Sequence, residues 1–203
     1  RLRFESSLSS RRAYAPAIMP DDVGSLVCRG SGLYTTAQSF RLVGCEIYKR
    51  TYVLNGAGDR LFLFSPTPLP EDVESDIRAL GAVTDIVIPT AFHDTYWKQV
   101  RARYPVARYH LAPGLNVDAA GLEAGDIERA LPGAEDTVDT LALKGIPSVN
   151  EIVFYHRPSR FLLVSDLVFN LSPECGGWTR WFMSLNGVAK APGASRIFRS
   201  MIK

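Results

Sequence analysis

Residues 150–170 read NEIVFYHRPSRFLLVSDLVFN. Two apolar runs, EIVFY and FLLVS, flank the turn-like segment HRPSR, which is the pattern of a strand, a turn and a returning strand. The second run meets Asp166 and then resumes as LVF. An ionised carboxylate in a buried run is costly unless it is paired, hydrogen-bonded or bound to a metal. Asp166 therefore asks for a chemical reason, and the rest of the chain has to supply it.

Working outward, FRLVGCEIYKRTYVLN mixes β-branched and aromatic residues, NGAGDR supplies turn chemistry, and LFLFS returns as a strand. PTPLPEDVESDIRALG follows with Pro70 at a helix start, acids in the first turn and Gly81 as a stop. Val73, Ile77 and Leu80 fall on one helical face. VTDIVIPT reads as a short buried strand, TYWKQVRARYP as a helix, VARYHLAP as a strand and AGLEAGDIERALP as a short helix. Strand hairpins that flank a β-α-β-α-β stretch predict a layered α/β or α+β domain. In GGWTRWFMSLNGV, Trp178, Trp181, Phe182 and Leu185 share one helical stripe. That stripe is expected to face the core, with a membrane-surface helix as the alternative.

The chain has 203 residues, 46% of them hydrophobic and 22% charged, enough for one substantial core with an appended arm. No apolar run approaches the roughly 20 residues of a membrane-spanning helix, so a soluble globular protein is expected. Residues 1–38 are rich in Arg, Ser, Gly and Pro and are expected to form an extended N-terminal arm, leaving 39–203 as the folded domain. The Arg- and Ser-rich start resembles the flank of an organellar transit peptide. The expected location is accordingly an organelle, the mitochondrion first, with the cytoplasm as the alternative.

Net charge is +2, but residues 1–20 carry +3 and residues 175–203 carry +5, so the middle is near −6. Arg1, Arg3, Arg11 and Arg12 at one end and Arg196 and Arg199 at the other are candidate partner-binding residues. Basic ends suit other protein subunits of a larger, membrane-associated or RNA-containing complex. Cys28, Cys45 and Cys175 are too far apart for a zinc knuckle or a disulfide framework. Of the three histidines, His110 lies inside a strand pattern and is expected to be a satisfied strand residue. His156 opens the basic HRPSR turn and is expected to be exposed. No Gly-rich phosphate loop, Ser-His-Asp arrangement or G-x-S-x-G elbow is present.

The initial hairpin, the loop after IVIPT and the late strand ending in Asp together resemble the metallo-β-lactamase superfamily. FLFSPTPL, IVIPTAFHDTYW, ARYHLAPGL and NEIVFYHRPSRFLLVSDLVFN are most similar to a family of metallo-β-lactamase-like proteins of unassigned function, over roughly Phe40 to Arg199. The resemblance implies an αββα sandwich, here degenerate and shortened at its C-terminus, with a metal site on loops at one sheet edge. Asp166 then matches the aspartate that bridges two metal ions in active members. The superfamily's His-x-His-x-Asp-His loop falls on Ala91, His93, Thr95 and Tyr96, so only His93 remains. The next histidine ligand falls near Asn150 or Glu151, and no histidine follows His156. His93, Asp94, Glu151 and Asp166 are therefore a relic or possible metal site. The expectation is a non-catalytic accessory or structural subunit, a pseudoenzyme without a cofactor. The alternative is a metal-dependent hydrolase with a reduced, oxygen-rich centre holding one divalent ion such as Mn, Fe or Zn.

Overall fold

A computed structural model describes residues 20–42, 45–92, 95–115, 127–169, 177–189 and 192–202. Six strands form the larger sheet: β1 (Val27–Gly30), β2 (Leu33–Leu42), β3 (Cys45–Asn55), β4 (Leu61–Phe64), β5 (Asp85–Ile88) and β6 (Arg108–Leu111). They lie in chain order, antiparallel from β1 to β4 and parallel from β4 to β6. A smaller antiparallel sheet holds β7 (Val138–Ala142), β8 (Ile152–His156) and β9 (Phe161–Leu163).

The two-residue strand period assigns the layers. Leu61 and Leu63 of β4 point to one core, and Phe62 and Phe64 point to the other. Outside the larger sheet lie α1 (Glu71–Leu80) and α2 (Trp97–Arg103). Val73 and Ile77 of α1, with Trp97 and Val100 of α2, pack there on Leu61, Leu63 and Ile86. Between the sheets, Phe62 and Phe64 meet Ile152, Phe154 and Leu163, and the Phe64 and Phe154 rings form an edge contact at 5.3 Å. Two sheets thus enclose an apolar core, and the parallel β4-β5-β6 segment carries its connecting helices on the outer face.

The start of α1 follows the sequence signals. Pro70 holds the N-cap position, Glu71, Asp72 and Glu74 occupy the first turn, and Gly81 closes the helix at φ 146°. FRLVGCEIYKRTYVLN is two strands, not one: β2 and β3 pair from Leu33↔Leu54 to Leu42↔Cys45. The expected AGLEAGDIERALP helix lies largely outside the described residues, though Ile127 and Leu131 are buried in the inter-sheet core.

The arm boundary at residue 38 is corrected. Residues 20–38 hold β1 and more than half of β2, and Leu33, Thr35, Thr36 and Ala37 are buried. The Asp22 carboxylate is fully buried and accepts from the Arg50 guanidinium at 2.7 and 3.0 Å, fixing this segment to β3. The segment reads weakly in sequence because, Leu33 apart, the buried positions of its β2 portion are Thr and Ala instead of large apolar residues. Residues 1–19, with Arg1, Arg3, Arg11 and Arg12, lie outside the described residues.

Two further expectations change. α3 (Gly177–Leu185) buries Thr179 and Met183 and leaves Trp178, Trp181 and Leu185 exposed, so the aromatic stripe faces outward. His156 is buried, its Nδ1 2.6 Å from Ser159 Oγ, and burial pushes its pKa down. Desolvation disfavours the charged imidazolium there.

His110 is buried in β6 and only half satisfied: its Nδ1 has no hydrogen-bond partner among the described residues. Its Nε2 lies 2.8 Å from Asp85 Oδ1, and Arg60 grips the same buried carboxylate. Burial opposes the charge on Asp85, but hydrogen bonds from His110, Arg60 and Thr84 outweigh it and hold the carboxyl far below its usual range.

Candidate functional site around Glu151 and Asp166

The apolar run does not carry Asp166 into the sheet. β9 ends at Leu163, and residues 164–167 leave the strand and bend. Asp166 is half-buried on that bend. The chain turns before the carboxylate could enter the apolar core, yet its Oδ2 is still shielded from solvent.

What turns the chain is Glu151, immediately before β8. Its side chain is buried, Oε1 accepts the Ser165 N–H at 2.8 Å, and Oε2 accepts the Asp166 N–H at 3.0 Å. One carboxylate thus satisfies two successive backbone donors that have left the β-ladder. Tyr52 anchors the same bend from β3, its hydroxyl donating to the Val164 carbonyl at 3.1 Å. Ser65, just after β4 at φ 49°, places its Oγ 2.8 Å from Ser165 Oγ.

The loop after β5 reaches the same place. Ala91 N–H donates to the Val149 carbonyl at 2.8 Å, and the Thr90 hydroxyl donates to it at 3.1 Å. Ile152 N–H donates to the Pro89 carbonyl at 2.7 Å, which seats Glu151 beside this loop. Asn150, at φ 44°, makes the turn between Val149 and Glu151 and donates from Nδ2 to the Pro113 carbonyl. Three distant segments, 89–92, 149–152 and 164–166, therefore meet at one edge of the sandwich.

Glu151 meets Asp166 through the Asp166 backbone N–H, whereas His93 and Asp94 lie outside the described residues. Arg196 and Arg199 are exposed on α4 (Arg196–Ser200), on a separate C-terminal surface. Sequence reading missed the role of Ser65, Ser165 and Tyr52. Serines and a tyrosine at strand ends carry no spacing signal, and only the fold aligns them.

Burial pushes the Glu151 carboxyl up to about 7, against the lowering effect of the Ser165 N–H, and the Asp166 charge adds to the rise. Glu151 is therefore a carboxyl that exchanges its proton near neutrality.

A two-metal centre needs several converging imidazole and carboxylate donors. Among the described residues no group of three or more His, Cys, Asp or Glu side chains converges on a point. Both Glu151 oxygens are already hydrogen-bonded to the backbone. His93 and Asp94, the other candidate ligands, lie outside the described residues, and no chemical step is assigned to a metal.

Asp166→Asn is expected to cost less than about 1 kcal/mol, because the Glu151 contact runs through the backbone N–H, which the substitution retains. Removing the charge should lower the Glu151 pKa from about 7. Carbon-13 NMR titration of the carboxyl measures it. An unchanged pKa would show that Asp166 is not the neighbour that helps raise it.

No protein-family model matches the chain, and no curated protein matches it in sequence. Solved structures do match in shape. A metallo-β-lactamase from Pontibacter korlensis superposes with a TM-score of 0.56 at 11% identity, over 87% of this chain and 95% of that one. The DIM-1 metallo-β-lactamase gives 0.54 at 12% identity, over 87% and 93% of the two chains. A metallo-β-lactamase from Hirschia baltica gives 0.52 at 13% identity, over 87% and 95%. Identities this low speak to architecture and not to chemistry. The chain has the metallo-β-lactamase fold.

Proposed function

We propose that this chain is a non-catalytic metallo-β-lactamase fold that serves as an accessory or structural subunit of a larger organellar assembly, in the mitochondrion, without a cofactor. The supporting observation is the Glu151 carboxylate, which accepts two backbone N–H groups where the resemblance places a histidine ligand. Its job there is to hold the Asp166 bend. The substitution of Ala91, Thr95 and Tyr96 for ligand positions fits the same reading.

On this reading the chain acts through its surfaces. Arg1, Arg3, Arg11 and Arg12, with Arg196 and Arg199, supply basic ends for acidic protein or phosphate partners. Such contacts weaken with salt, since exposed charges are screened over about 10 Å at 0.1 M.

The alternative is a metal-dependent hydrolase whose oxygen-rich centre draws on His93, Asp94, Glu151 and Asp166. The bond from Ala91 to Val149 favours it to the extent that it brings the loop after β5 beside Glu151.

Native-lysate sedimentation and purified-chain assays separate the two. The subunit reading expects the chain in a particle well above its own 22.4 kDa, with assembly reduced on removal of residues 1–19. It also expects no hydrolysis of esters, β-lactams or phosphodiesters. Sedimentation as the lone chain would defeat the subunit reading. Turnover abolished by Asp166→Ala would establish the hydrolase.

A further inference from the structure

We propose that the C-terminal face built by α3 and α4 docks on an anionic membrane surface. The inference goes beyond the subunit reading and can be tested on the purified chain alone, so the two can fail separately.

α3 has two faces of opposite fate. Thr179, Met183 and Asn186, spaced by four and three residues, are buried. Trp178, Trp181 and Leu185, spaced by three and four, are 52%, 54% and 52% exposed. A helix normally buries its large aromatic stripe; this one turns the stripe to the outside. The Trp178 and Trp181 rings contact one another at 4.9 Å, and Phe182 stacks beside Trp178 at 6.2 Å, so the aromatics form one continuous ledge.

α4 lies against the end of α3. Its first residue is tied to the end of α3 by the Arg196 N–H donating to the Asn186 carbonyl at 2.9 Å. Ser195 Oγ caps the helix, and Phe198 turns inward onto Ile146 and Val149. Ile197 and Ile202 are left 54% and 56% exposed, flanking the exposed Arg196 and Arg199.

Charge selects the occupant. Residues 175–203 contain five basic residues and no Asp or Glu, so the complementary surface is negative. Tryptophan rings favour the headgroup level of a bilayer, aliphatic side chains enter the acyl boundary, and arginines meet anionic headgroups. No helix among the described residues is long and apolar enough to cross a membrane. The face therefore lies on the surface and does not span it. A second copy of the chain fits worse, because a two-fold contact would bring two basic surfaces together. Single-stranded nucleic acid also fits worse. Its bases stack on open ring faces, and here the rings stack on one another while Leu185, Ile197 and Ile202 offer none.

The test uses the full chain with vesicles of phosphatidylcholine alone and with added phosphatidylglycerol. Co-sedimentation and a blue shift of tryptophan emission are expected only with phosphatidylglycerol, and both should decline at high salt. Trp97 is buried, so a shift would report Trp178 and Trp181. The double variant Trp178→Ala/Trp181→Ala should lower partitioning about tenfold or more, because it removes the apolar insertion. Arg196→Glu/Arg199→Glu should abolish the preference for anionic vesicles. Leu185→Glu, at an exposed position, gives an independent check should the tryptophan variant fold poorly. Absence of partitioning, partitioning unaffected by these variants, dimerisation through this face, or a preference for a single-stranded oligonucleotide would each overturn the proposal.

Discussion

Deleting residues 1–38 will leave a chain without a cooperative unfolding transition. The deletion removes β1 and the part of β2 from Leu33 to Gln38, which pairs with β3 from Leu54 to Lys49. Leu33 is fully buried against the inter-sheet core; losing such a side chain alone costs about 2–5 kcal/mol. The deletion also takes Asp22 from Arg50, leaving a part-buried guanidinium without its carboxylate. Together these losses rival a domain's whole net stability of about 5–15 kcal/mol. Urea titration followed by far-ultraviolet circular dichroism checks this. A sharp, cooperative transition in the truncated chain would show that the N-terminal strands are dispensable.

Glu151→Ala will destabilise the domain strongly at acidic pH and much less above neutrality. At low pH the neutral carboxyl still accepts from the Ser165 and Asp166 N–H groups. Truncation leaves two buried donors unsatisfied, at about 1–3 kcal/mol each. As pH rises the sign of the linkage works against the native protein. The folded pKa of about 7 lies above the ordinary 4.5, so between those values the folded state binds more protons than the unfolded state. The stability contributed by this group is fully present below pH 4.5 and is lost as pH rises through about 7. The shift corresponds to about 3 kcal/mol. The gap in unfolding free energy between the parent and Glu151→Ala should therefore narrow by about that amount from acidic to mildly alkaline pH. Taking the difference cancels Asp22 and Asp85, whose depressed pKa values act at lower pH. A gap that does not change with pH would mean that the carboxyl is not desolvated in the native state.

Much of the fold was legible because local signals agree with tertiary demands. Pro70, the first-turn acids and Gly81 bound α1, and the apolar runs LFLF, DIVI and IVFYH became β4, β5 and β8. Where reading failed, the deciding information was not local. The period of α3 was correct but its direction was not, because periodicity gives two stripes and only tertiary packing chooses Thr179 and Met183 over the tryptophans. FLLVSDLVF looked like a continued strand because the acceptor that ends it, Glu151, sits on the neighbouring strand's leading edge. His156 was misplaced because the arginines of its turn suggested solvent, yet the imidazole itself is enclosed. At the site, Asp166 and Glu151 were both legible as carboxylates at the ends of apolar runs. Their relation was not, since a backbone N–H bonded to a side chain leaves no trace in residue type.

We propose that the Glu151 carboxylate, and not a metal ion, holds the Asp166 bend of this metallo-β-lactamase fold. The most direct test is elemental analysis of the full chain, expressed in metal-supplemented medium and purified without chelator. Zinc, manganese and iron are all expected far below one ion per chain, with no change on Asp166→Ala. A stoichiometric metal that disappears in Asp166→Ala would contradict it.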